Sequence, residues 1–190
     1  MKDALNTRGM ALENEFFEKQ NKHLIEELKA MRERDESRAE LARACGVQDE
    51  ALLDLLLKSG VNVETLPALV LVPLVAVAWA SRKVERGERY AVLEAAADYG
   101  IVEGTPGYAL LEKWLKVRPA ENLVIAWEEY VGLLTEVMDP ADRKDFTHSV
   151  LRRAEDVANA AGGVLGIGPK TSREEREVLD RLTKALAAKL

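Results

Sequence analysis

Cysteine is almost absent: Cys45 is the only one in 190 residues. An intramolecular disulfide framework is therefore excluded, and the composition fits a reducing cytoplasm. Histidine is nearly as scarce. His23 and His148 fall in different predicted helices with no HExxH or comparable ligand spacing, which removes the commonest zinc arrangements. Positive charge is outnumbered, 27 Lys and Arg against 33 Asp and Glu, for a net charge of −6 and a pI near 5.2. Nucleic-acid-binding surfaces are normally basic, so no nucleic-acid partner is expected. The first ten residues, MKDALNTRGM, contain no hydrophobic segment, so no targeting leader is read and a cytoplasmic location is expected. No stretch sustains a period-two alternation, which argues against a sheet.

What is there is helix-forming. Ala, Leu, Glu, Lys and Arg dominate, and aromatic residues make up only 5%. This mixture favours helix nearly everywhere, in a chain long enough to bury a proper core. The expected class is all-α with about eight helices. The chain is organised around LPALVLVPLVAVAWA, Leu66 to Ala80, an uncharged run in a sequence that is 32% charged. It is shorter than the about 20 apolar residues of a membrane span and carries Pro67 and Pro73, so no span is expected. It is also longer than a strand of about 4–8 residues. Thr65 suits the N-cap and Pro67 the first turn, where a missing N–H does no harm. Pro73 lies inside and should bend the helix or split it in two. A helix apolar on all sides needs neighbours all round, which makes this run the hub of a bundle.

Residues 1–48 read as a charged helical extension and residues 49–190 as a helical domain. In the extension, Leu12, Phe16, Leu24, Leu28 and Met31 recur at helical spacing and leave one narrow apolar stripe. Glu15–Lys19 and Glu18–Lys22 are i,i+4 pairs worth about 0.2–0.5 kcal/mol each. Phe16, Phe17, Leu24 and Leu28 are the candidate interaction residues. Either they pack on the body, or they anchor a partner protein or a second copy of the chain. Gly46 should end the first helix and Asp49 open the next, which stops at Gly60. Gly100 terminates a helix over Glu88–Tyr99. Thr105-Pro106 opens one that Arg118-Pro119 closes, with Tyr108, Leu111, Trp114 and Leu115 inward. Residues 120–138 form another, with Leu123, Trp127, Val131 and Leu134 on one face. Asp139-Pro140 starts a long helix to Ala161, stopped by Gly162-Gly163. The last helix follows Ser172, which has capping-box spacing to Glu175.

Two stretches echo one another. Ala80 to Arg89 joins the apolar helix to an amphipathic one, and Gly162 to Arg176 does the same further on, with Glu88 and Glu175 at matching places. The echo suggests two helical hairpins about a pseudo-twofold axis. At these residues, over about 65–190, the chain resembles the TerB-like tellurite-resistance family. Its signature is an apolar helix ending in Ala-Asp-Gly, then a basic and an aliphatic residue and, several positions on, a glutamate opening the next helix. Trp79-Ala80-Ser81-Arg82-Lys83-Val84 and Glu88 occupy these places. The resemblance implies an all-helical domain of two similar halves that serves in stress response or in assembling partner proteins, with no defined reaction. Ser81 and Arg82 depart from the family's Asp-Gly. An Asp-Gly turn followed by a glutamate is reminiscent of part of a calcium loop. Serine removes a charged ligand there, and arginine puts a side chain where φ > 0 is needed. No metal and no cofactor are therefore expected. Glu88 in a first helical turn is explained by the macrodipole. Arg8-Gly9-Met10-Ala11-Leu12-Glu13-Asn14-Glu15-Phe16-Phe17, a long charged helix and LARACGV are together similar to the start of zeta-type inhibitor subunits of bacterial ATP synthases.

Catalytic constellations are missing. Gly162 to Thr171, GGVLGIGPKT, resembles a phosphate loop, but Pro169 separates Gly168 from Lys170 and a helix precedes it where a strand is needed. There is no G-x-S-x-G elbow. Glu128-Glu129 and Glu174-Glu175 splay apart on a helix and make no acid–base dyad. Cys45 reads as a small buried residue at a helix end, and Trp79, Trp114 and Trp127 as core. The expectation is a non-enzymatic interaction or scaffold protein. A regulator of an ATPase or ATP synthase acting through the N-terminal helix is the alternative, and a metal-binding stress sensor a further one.

Overall fold

The computed structural model describes residues 2–161 and 171–187, with side chains from 22 to 160 and from 171 to 187. Among the described residues there are eight α-helices, one 3-10 segment and no strand. In order these are α1 (Lys2–Cys45), α2 (Glu50–Lys58), the 3-10 segment (Leu66–Leu71), α3 (Val72–Ala78) and α4 (Arg86–Ala97). Then come α5 (Pro106–Lys116), α6 (Glu121–Val137), α7 (Pro140–Ala161) and α8 (Arg173–Ala187). The chain divides into two units, residues 1–40 and 41–190.

The first unit is helix α1 up to Glu40. Its side chains from Lys22 to Ser37 are all exposed. Arg32 pairs with Glu36 at 3.0 Å and His23 lies 3.6 Å from Glu27, both at i,i+4 spacing, and these surface pairs stabilise little.

The second unit begins at Leu41, which is completely buried. Gly46 ends α1 at φ +74°, and Gly60 ends the turn after α2 at φ +88°, left-handed positions where glycine carries no Cβ penalty. Asp49 caps α2 by accepting from Leu52 N at 2.9 Å, and Thr105 caps α5 by accepting from Tyr108 N at 3.2 Å.

The apolar run is the hub. Leu69, Leu71, Val72, Leu74, Val75, Val77 and Ala78 are at most 2% exposed, and α3 packs against α4, α5, α6, α7 and α8. Burying each such Leu or Val stabilises by about 1.5–3 kcal/mol. Pro73 does split the run, and the hydrogen bonds show how. Proline has no N–H for the carbonyl of Leu69, so that carbonyl accepts from Val72 N, three residues on. The first half therefore winds as 3-10 and the second as α. Thr65 sits at the N-cap, but its hydroxyl turns back into the preceding loop. It accepts from Asn62 N at 2.8 Å and donates to Gly60 O at 2.9 Å.

Helices α3–α4 and α7–α8 form the two hairpins. Both α3 and α4 pack on α7, and α3 also packs on α8. Gly87, in the first turn of α4, lies so close to the end of α7 that a Cβ there runs into the Ala160 carbonyl oxygen. Polar ties fix the remaining helices. The Trp79 indole donates to Trp114 O at 2.7 Å and the Trp114 indole to Ser59 O at 3.3 Å, linking the ends of α3, α5 and α2. Arg181 of α8 grips Glu128 with both a 2.6 Å and a 3.0 Å bond and also bonds Glu121, holding α8 to α6. On α6 the inward face holds Leu123, Ala126, Trp127, Val131 and Thr135. Leu134, expected on that face, is only half-buried, and Thr135 takes its place by donating to Val131 O at 2.8 Å.

Candidate functional site

The turn after α3 gathers the motif residues. Ala80 N donates to Val77 O at 2.9 Å and Arg82 N to Trp79 O at 3.0 Å, so the chain curls tightly as the helix ends. Arg82 takes φ +71°, making it the single non-glycine left-handed residue among those described. Its exposed side chain points away from the core. Ser81 Oγ donates to Lys83 O at 2.9 Å, closing the turn, and Lys83 Nζ lies 3.1 Å from Glu85. Val84 is half-buried against the core.

Glu88 follows and is the least expected residue of the body. Its side chain is 0% exposed. One oxygen, Oε2, accepts from Glu85 N at 2.6 Å, which completes a capping box at the start of α4. The other oxygen, Oε1, is buried with no hydrogen-bond partner. Burial pushes the carboxyl up from 4.5 to about 7. The Glu85 N–H opposes that rise, while the charges of Glu175 and Glu85 reinforce it and Lys83 weakly counters it. Glu175 repeats the arrangement at the start of α8. It is 3% exposed, accepts from Ser172 N at 2.5 Å, and its own N–H donates to Ser172 Oγ at 3.2 Å. Two buried carboxylates thus open two helices, one in each hairpin, close enough for their charges to interact.

The sequence pattern aligns these two glutamates and the macrodipole explains an acid in a first turn, but neither that nor the splaying of Glu174-Glu175 indicates burial. The available signal was the shared capping-box place after each hairpin turn. Their chemistry is limited. A general acid or base must reach a substrate proton, and a side chain with no exposed surface cannot. Among the described residues no three His, Cys, Asp or Glu groups gather as they would around a metal ion. The pair is a structural device at two helix starts, and it is Glu88 whose carboxyl burial pushes up to about 7.

The remaining candidates separate cleanly. Leu24, Ile25, Leu28 and Met31 on α1 are 53%, 65%, 56% and 60% exposed, an uncovered apolar stripe. The side chains of Phe16 and Phe17 lie outside the described ones, as does the phosphate-loop-like stretch 162–170. His148 is exposed, Cys45 is a half-buried free thiol, and Glu128 is engaged by Arg181. In the body, Leu66, Val70, Tyr130, Leu134 and Phe146 line an apolar groove of about 360 Å³. Burial pushes the Tyr130 hydroxyl up, and no charged side chain lines this groove. No helix among the described residues is long and apolar enough to cross a membrane. No protein-family model, no curated protein and no solved structure matches this chain. What the fold and the site define is a class, an all-α helical protein with a two-hairpin body.

Proposed function

We propose that the chain is a non-enzymatic interaction module of TerB-like type, with a helical body as platform and α1 as the contact element. One observation carries this reading: four large apolar side chains on one stretch of α1 are each more than half exposed. An apolar helix stripe left in water is an interaction surface waiting for its partner. The TerB-like part of the reading is supported by the turn and the two acids. Arg82 holds a left-handed φ where the family signature has glycine, and Glu88 and Glu175 open equivalent helices. Stress response is the physiological setting this resemblance implies, and the cytoplasm its place. A photoreactive amino acid at position 28 of the full chain, activated in the cells that make it, tests the reading. Covalent adducts to protein are the expected result. Irradiation that leaves the chain unmodified at that position would remove α1 as the contact element.

A further inference from the structure

We infer that α1 pairs with α1 of a second copy in a parallel, in-register, two-stranded coiled coil whose seam runs from Met10 to Met31. The inference rests on the reading of α1 as the contact element and names its partner. Met10, Asn14, Phe17, Asn21, Leu24, Leu28 and Met31 are separated alternately by four and three residues. This is the a/d repeat of a left-handed coiled coil. Asn14, Asn21 and Leu28 take a positions, and Met10, Phe17, Leu24 and Met31 take d positions. Leu12 and Phe16 fall off the seam, while Ile25 borders it at an e position. The seam ends where Asp35 and Arg38 occupy the next a and d places and bond each other along the same helix at 3.3 Å.

The exposure pattern requires cover. From Lys22 to Ser37 every side chain is exposed, yet this stretch is continuous helix. Most helical stability in proteins comes from packing an apolar face, and Leu24, Ile25, Leu28 and Met31 of α1 are each more than half exposed. A second α1 supplies that packing.

Charge and amide placement choose the orientation. Glu27 takes a g position and Arg32 the e position of the next heptad, so opposite charges meet across a parallel in-register seam, once on each side. Glu13 and Glu18 hold the corresponding places two heptads earlier and repel, which weakens the N-terminal end of the seam. Parallel pairing sets Asn21 beside Asn21 of the second copy, and Asn14 beside its counterpart, so each amide finds a hydrogen-bonding partner. Antiparallel pairing sets a against d, so in any register Asn21 faces an apolar d residue such as Phe17, Leu24 or Met31 of the second copy and its buried amide goes without an amide partner. An asparagine at a also fixes register and strand number, at some cost in stability.

Equilibrium sedimentation of the full chain tests the pairing. The expected mass is twice the 21.1 kDa of the chain, falling to the single-chain value in L28E. The thermal melt of the L28E body should stay unchanged, because Leu28 is exposed. Orientation is read from L24C in a C45S background, where mild oxidation should link two copies through position 24. A wild-type mass of one chain at every concentration overturns the inference. So does a dimer that survives L28E, or one that resists linkage at position 24. If the chain is monomeric while photo-adducts at position 28 carry a different protein, the interaction reading stands and the second copy falls. If neither dimer nor adduct forms, both fall.

Discussion

Replacing Glu88 by Gln puts the buried acid pair to a quantitative test. In the folded chain the carboxyl is pushed from 4.5 up to about 7, so folding takes up a proton between those values. About 1.4 kcal/mol attaches to each tenfold change in proton affinity, so the wild type should lose up to about 3 kcal/mol of stability as pH rises from below 4.5 to above 7. The contribution is fully present below 4.5, where the unfolded chain is protonated too, and is gone once the folded carboxyl ionises. Glutamine stays neutral throughout. Its amide oxygen still accepts from Glu85 N, and its NH2 group takes the place of the unpartnered Oε1. Urea melts at pH 5 and pH 8 are the assay. E88Q and wild type should lie close together at pH 5, with E88Q more stable at pH 8 by a good part of those about 3 kcal/mol. Comparing the two proteins cancels the titration of groups that do not interact with Glu88, leaving Glu88 and its charged neighbours Glu175, Glu85 and Lys83. In E175Q, loss of the neighbouring charge should let Glu88 ionise at lower pH and shift the wild-type curve accordingly. An equal gap between E88Q and wild type at both pH values would refute the argument that Glu88 titrates in a buried site.

Three further substitutions probe the body. Gly87→Ala should lower stability by about 1–3 kcal/mol because the new methyl meets the Ala160 carbonyl, although helix propensity alone predicts a gain of about 1 kcal/mol; the urea midpoint gives the sign. Arg82→Gly should raise the melting temperature, relieving a left-handed backbone worth about 1 kcal/mol at a side chain that packs on nothing in the core. Trp79→Phe should cost about 1–3 kcal/mol, since the Trp114 carbonyl loses its 2.7 Å indole donor in a partly buried site; the same chemical melts measure it.

The boundaries of the helices were legible because each is marked by a residue with one local job. Gly46, Gly60 and Gly100 take the left-handed φ that ends a helix, and Asp49, Thr105-Pro106 and Asp139-Pro140 open the helices that follow. Pro73 announced a break, but its form depended on which donor the Leu69 carbonyl would find, and that is settled by packing around the hub. The buried acids were half legible. Capping-box spacing placed Glu88 and Glu175 at helix starts, yet a first-turn glutamate looks the same in sequence whether water or another hairpin lies beside it. Thr135 shows the same ambiguity, since a hydroxyl that bonds its own helix can be buried where a leucine was expected. The stripe on α1 was visible as spacing, whereas its exposure was not, because an apolar helix face has the same spacing whether it is covered or open to water.

Hydrogen exchange along α1 reads directly whether this helix acts by being covered. Amides of residues 22–37 in the full chain should be protected at high protein concentration and lose protection on dilution, in step with the fraction of paired chain. Unprotected exchange across 22–37 at the highest concentration reached would contradict the account.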